Sequence, residues 1–158
     1  MSYTNADGLE VLTNGAAGVA AANGTAAVST KKTLVIDIAD ASELGATAAT
    51  PSDNEAFIPA GSYITSASLV VTTAFTSGGS ATLSLGAYQQ DGTTVDADGI
   101  DATIALAALA ANKAVACDGA LVGGTATVGA ADVYIKPDYG TAAFTAGAAK
   151  LVIEYIEV

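Results

Sequence analysis

The sequence predicts a mainly β protein: an antiparallel β-sandwich of jelly-roll type, with one short helix and an extended N-terminal arm. Three observations lead there. Several segments alternate apolar and polar residues at period two, the signature of half-buried strands. Turn signals built on Gly, Pro, Asn and Asp recur between them at short intervals, which suits a sandwich better than βαβ units. Residues 1–30 break the pattern, with small side chains and no sustained period.

That first segment, including NGAAGVAAANGTAAVST, carries too little side-chain volume to offset the cost of ordering its backbone. It is expected to be an extended or flexible arm, either a disordered tail or a segment that gains order on a neighbouring subunit. Residues 31–158 are expected to form the β domain. In KTLVIDIAD, Leu34, Ile36 and Ile38 share one face and Thr33, Val35 and Asp37 the other. Gly45, Pro51, Asp53 and Asn54 then mark a surface loop. Ile58-Pro59-Ala60-Gly61 predicts a type II turn, with proline setting one φ angle and glycine supplying a positive one. From there the odd positions Tyr63, Thr65, Ala67, Leu69, Val71, Thr73 and Phe75 are expected to face the core. Thr76 to Ser80 predicts a hairpin connection, and Ala81, Leu83, Leu85 and Ala87 would form the apolar face of the returning strand.

The helix is expected downstream, where Ile100, Ile104 and Ala107 or Ala108 recur at helical spacing and Asp101 would sit near the positive end of the helix dipole. A strand over Thr103 to Leu106 competes with it. KAVACD, GALVGG, TATVG, DVYIKP and KLVIEYIEV then predict short strands with glycine-containing turns. The last, Lys150 to Val158, is apolar on both faces apart from Lys150, Glu154 and Glu157, so a central position is expected.

Composition narrows the chemistry. Five lysines and no arginine against 16 acids give a net charge of −11. Phosphate recognition needs clustered cations, so neither direct nucleic-acid binding nor attraction to an anionic membrane is expected. Mean hydropathy is +0.48, yet alanine makes up roughly a quarter of the chain, so this value overstates the core. No apolar run is long enough for a transmembrane helix. The N-terminus lacks the basic-then-apolar pattern of a secretory signal, and the mature chain is expected to start close to Met1. There is no histidine, which removes the commonest general base, the usual zinc ligand and the Ser-His and Cys-His nucleophile arrangements.

Four features are candidate sites. The acid cluster Asp91, Asp96, Asp98 and Asp101 is the one candidate for calcium, but its register fails. With Gly99 at the invariant EF-hand glycine, Asp96 and Asp98 fall on ligand positions while Thr94 takes the first and Ala105 replaces the bidentate glutamate. A turn-rich solvated loop is the simpler reading. GALVGGTATVG lacks the Gly-Lys-Ser/Thr ending of a phosphate loop, so its glycines are read as turn residues. The single cysteine, Cys117, is expected to be a small buried side chain rather than a reactive thiol. Tyr134, Tyr139 and Tyr155 are expected in core or subunit contacts rather than a ligand groove. No catalytic, cofactor-binding or metal-ligating residue is therefore assigned, and no enzymatic activity is expected.

The run FIPAGSYITSASLVVTTAFTSGGSATLSLGAYQQDGTTVDADGID, then ACDGALVG and the closing FTAGAAKLVIEYI, resembles small structural proteins of tailed bacteriophages, particularly marine and cyanobacterial phages. The resemblance spans residues 33–158 and rests on turn and strand motifs. It implies an accessory virion protein of the capsid decoration (cement) type with a jelly-roll or β-sandwich fold. Such proteins are often trimers that sit on the outer surface of the head and clamp adjacent major capsid protein subunits. The resemblance therefore implies a homotrimer, with the major capsid protein as partner. A tail, fibre or baseplate component would use the same kind of domain, and a carbohydrate-binding sandwich is the reading outside virion structure.

Overall fold

Where the period-two pattern is strong the chain forms strands, and their inner faces meet in one core. A computed structural model describes residues 2–4, 10–12, 31–45, 56–124 and 126–158. It divides the chain into two units, Met1–Thr30 and Lys31–Val158. In the first, β1 (Ser2–Thr4) pairs antiparallel with β2 (Glu10–Leu12), with Tyr3 opposite Val11. The rest of the expected arm lies outside the described residues, as does the loop over residues 46–55.

The second unit is built from β3 (Lys31–Ile38), β4 (Tyr63–Ser77), β5 (Thr82–Tyr88), β6 (Thr94–Ala105), β7 (Ala114–Ala116), β8 (Tyr134–Gly140) and β9 (Phe144–Ile156). These make a four-stranded sheet of order β3-β9-β4-β7 and a three-stranded sheet of order β6-β5-β8, with antiparallel pairing throughout. The antiparallel sandwich expected from the sequence is present. Among the described residues it has seven strands, against the eight of a full jelly roll. The C-terminal strand lies between β3 and β4, the central position expected from its sequence.

Side-chain rows across the four-stranded sheet show how the core is made. Ile36, Leu151, Leu69 and Val115 are paired in one row facing the other sheet, and Leu34, Ile153 and Ala67 form the next. Leu83, Leu85, Ala87, Ile100, Ile104 and Ile135 meet them from the three-stranded sheet, all buried.

GALVGG and the described residues of TATVG, expected as strands, form turns and irregular chain with a single bridge from Val122 to Ile64, because they cross between the two sheets rather than run along one. Four further expectations require correction. First, β4 and β5 are not a hairpin: they belong to different sheets. Their apolar faces meet across the sandwich rather than side by side, and a short glycine-containing connection serves either geometry. The chain arches between sheets at Gly78-Gly79-Ser80, and it arches back between β8 and β9 at Thr141 to Ala143. The two arches are bonded together. The Ser77 hydroxyl donates to the Ala143 carbonyl at 2.8 Å, and the Thr76 and Thr145 hydroxyls are 2.8 Å apart.

Second, the segment expected as a helix is strand β6, followed by a single 3-10 turn at Leu106–Ala108. Positions four apart share a face in a strand as well as in a helix, so Ile100 and Ile104 satisfy both periods. The pairing edge of β5 decides between them. Third, β4 does not keep one phase. The register slips between Ile64 and Ser66, making Thr65 a bulge residue, so Ile64 is buried before the slip and Ala67, Leu69 and Val71 after it. Tyr63 and Thr65 are only half-buried, and Thr73, beyond a second slip, is exposed. Fourth, the turn before β4 closes one residue later than expected. The Ser62 N–H donates to the Pro59 carbonyl at 3.1 Å, which puts Gly61, with φ of +75°, at the third position and proline at the first.

The two lateral sides of the sandwich differ. On the β7 side, residues 117–123 stitch the sheets together. Cys117 and Gly123 N–H groups donate to Ala67 and Ile64 carbonyls of β4, while Gly119 and Leu121 N–H groups donate to Ile100 and Gly99 carbonyls of β6, all at 2.9 to 3.0 Å. On the opposite side, edge strands β3 and β8 border a groove of about 450 Å³, lined in part by Ile36, Ile38, Leu44, Ile135 and Pro137.

Candidate functional site

The acids singled out in the sequence are not gathered into a site. Asp91 caps the β5–β6 turn, its Oδ1 accepting the Thr93 N–H at 2.8 Å, and this bond holds its carboxyl below the usual range. Asp96 Oδ1 accepts the Asp98 N–H at 3.3 Å. Burial and a hydrogen bond with the Asp98 side chain push the Asp96 carboxyl up. Asp101 lies further along β6, opposite Leu85. Among the described residues no three acids or cysteines are placed to hold a metal ion.

Asp101 is instead a structural carboxylate at the stitched side. It is 6% exposed, and its Oδ1 accepts the Thr103 N–H at 3.2 Å. Burial, and next in that direction the charge of Asp118, push its carboxyl above the ordinary range against the opposing pull of that Thr103 bond. A carboxyl raised in the folded state binds a proton more readily there than in the unfolded chain, so its charged form works against folding at neutral pH. Asp101→Asn is therefore expected to melt higher than the parent at neutral pH. The gap should close as pH falls through the raised value toward the ordinary carboxylate range. Thermal melts of both proteins across that window check this; a constant gap would contradict it.

The remaining sequence candidates serve packing. Cys117 is buried, and its thiol is pushed up to about 12 by burial and by the Asp101 charge, which favours the protonated form at neutral pH over the reactive thiolate. Gly119, Gly123 and Gly129 belong to the stitch and the turn after it, with φ of +60° at Gly123 and +106° at Gly129. Tyr155 is buried in the core and Tyr139 packs against it, while Tyr134 is buried beneath Phe57, ring centroids 5.7 Å apart.

What the alternation did contain, and sequence reasoning passed over, is the outer face of the four-stranded sheet. Val35, Val152, Ser68 and Ala116 lie in one row across its strands, and Asp37, Lys150, Val70 and Ala114 in the next. Val35 is 51% and Val70 40% exposed. Further along, Thr33, Glu154 and Ser66 make a third row. The charges on this face are paired within the chain: Lys31 Nζ to Glu154 at 2.5 Å and Lys150 Nζ to Asp37 at 2.8 Å. The Ser66 hydroxyl also donates to Glu154 at 2.6 Å, and Lys31 and Ser66 together hold that carboxyl below the usual range. The centre of the face is thus made of short side chains, and the paired lysines and acids around it leave it electrically balanced in a strongly acidic protein. The three-stranded sheet is unlike it: Tyr88 on its outer face has its hydroxyl pushed up by burial and by the charges of Asp138 and Asp98.

The fold and these surfaces define a two-sheet antiparallel sandwich in which the candidate acids bond within turns and strands, while the buried Ser62 hydroxyl is left without a partner among the described residues. Compared with models of known protein families and with curated proteins, the sequence matches none. Among solved structures, the fold is similar to a chain described as the capsid of Ralstonia phage GP4. That match has a TM-score of 0.51 and 14% sequence identity, and covers 81% of this chain and 84% of that chain.

Proposed function

We propose that this protein is a non-enzymatic structural component of a bacteriophage virion, of the capsid decoration type. It binds the outer surface of the head and reinforces contacts between major capsid protein subunits. The observation that carries the reading is the fold similarity to the phage capsid chain, which runs over four fifths of both molecules. Two properties support it. A net charge of −11 suits a protein that faces solvent and other proteins rather than packaged DNA. The sandwich offers broad sheet faces and open edges, which serve extended contacts better than a pocket does.

In this reading the Lys31–Val158 unit projects from the shell while residues 1–30 lie on neighbouring coat subunits. A chain starting at Lys31 should keep its cooperative melt, since the unit has its own core, and lose attachment to particles. Full occupancy of heads by the truncated chain would refute the arm's role. Copy number on purified particles tests the reading as a whole. Hundreds of copies on the head agree with decoration, whereas about a dozen or fewer at one vertex would assign the protein to the tail or baseplate. Binding on a glycan array, with no protein on particles, would favour the carbohydrate-binding alternative.

A further inference from the structure

We propose that the outer face of the four-stranded sheet is a self-complementary surface through which two copies of this chain pair, sheet against sheet, about a two-fold axis. The inference rests on cross-strand register and holds whether or not the protein is a virion component. Its first part is the centre of the face, where exposed Val35 shares a row with Val152, Ser68 and Ala116, and exposed Val70 stands in the next row beside Ala114. Valine, serine and alanine keep this centre low enough for a second sheet to approach to about the usual 10 Å, while the longer Lys150 and Glu154, on either side of Val152 along β9, can reach toward the facing copy.

The second part is charge. Each copy carries −11, so most relative placements of two copies are repulsive. This face is balanced, with Lys31 and Lys150 against Asp37 and Glu154. The order of signs along the strands matters more than the sum. On β3 the cation comes first and the anion six residues on; on β9 the cation Lys150 comes four residues before the anion Glu154. Because β3 and β9 are antiparallel, Lys31 and Glu154 lie toward one end of the face and Asp37 and Lys150 toward the other.

An axis across the strands, through the Val35–Val152 row, turns one copy end for end over the other. Each strand then faces its own counterpart. Glu154 of one copy lies over Lys150 of the second, and Val35 and Val152 lie over themselves. Lys31 comes within two residues of the facing Asp37, a distance of roughly 7 Å along the strand that a lysine side chain can span. Both intrachain ion pairs become four-charge networks with no like charges opposed. This is an isologous contact, the same patch used twice. It differs from the trimer that the phage resemblance implies, because a three-fold axis alone does not place a face against itself.

Sedimentation equilibrium of the full chain at micromolar concentration tests the pairing. The parent should sediment at twice the chain mass and Val35→Asp at the mass of one chain, with the variant's cooperative melt showing that it still folds. Lys150→Glu puts acids over Glu154, and Glu154→Lys puts lysines over Lys150, so each variant alone should dissociate at least about tenfold more readily. Mixed together, the two variants face acid to lysine at both positions and should pair again. A merely structural role for the intrachain pairs predicts no such rescue. A parent that sediments as one chain or as three, an assembly untouched by Val35→Asp, or a mixture no tighter than its components would overturn the proposal.

Discussion

Replacing Leu151 by alanine is expected to lower folding stability by about 3 to 4 kcal/mol. Leu151 is 1% exposed on the central strand of the larger sheet. It is paired with Ile36 on one side and Leu69 on the other, in the inner row that ends at Val115. Truncation removes apolar surface from the middle of that row and leaves a void that backbone paired on both sides cannot close. Against a total of about 5–15 kcal/mol for an ordinary domain, this is a large fraction. The melting temperature should fall by on the order of 10 °C. Thr33→Ala, on the outward face of the neighbouring strand, should change stability by about 0.5 kcal/mol or less. Denaturant unfolding of both variants checks the pair, and equal losses would mean that the register across β3 and β9 is wrong.

Gly119→Ala is the second large effect, and its cause is steric rather than hydrophobic. A Cβ built on Gly119 would lie 2.4 Å from the Gly99 carbonyl oxygen and 2.4 Å from the Ile100 carbonyl carbon. These are backbone atoms of β6, which cannot rotate aside as a side chain would. To admit one methyl group the loop must lift away from the strand. That strains or breaks the bonds from the Gly119 and Leu121 N–H groups to Ile100 and Gly99, both 2.9 Å. The expected cost is about 3 kcal/mol, the upper part of the range for overpacking, because the same movement loosens the stitch between the two sheets. Amide hydrogen exchange localises the damage: protection at Gly119 and Leu121 should drop further than at Leu69 or Ile153. Uniform loss, or none, would show that the close approach does not hold the loop in place.

These two residues stood differently in the sequence. The inward direction of Leu151 follows from the alternation of Leu151, Ile153 and Tyr155 against Lys150, Val152 and Glu154, and the small share of polar residues along the strand marks β9 as central. Gly119 read only as a turn glycine, since nothing nearby in sequence announces that β6, some twenty residues earlier, passes against it. The outward valines were equally available to the alternation. Val35 is already on the polar side of its strand, but whether it stands alone or beside Val152 and Ser68 depends on pairing between positions that lie 117 and 84 residues apart, which no local pattern encodes.

The β6 segment shows the same division. Ile100 and Ile104 satisfy helical and strand periods alike, and local propensity does not separate them. The unpaired edge of β5, with backbone donors and acceptors to satisfy, draws the segment into the sheet. Likewise the apolar faces of β4 and β5 were clear from composition, while the choice between lying side by side and lying face to face was not. A hairpin and an arch use the same short glycine-containing connection.

The sequence by itself determined which segments are strands over most of the domain, which residues of β3, β5 and β9 turn inward, and the lack of histidine chemistry. These are local properties, set by side-chain type and the two-residue repeat of an extended backbone. Only the tertiary structure decided which strands are neighbours, which sheet each joins, where β4 slips by a residue, and which outward side chains share a surface. Those depend on satisfying backbone hydrogen bonds and closing the core between segments remote in the chain, so the balanced valine face exists in the fold and nowhere in the one-dimensional text.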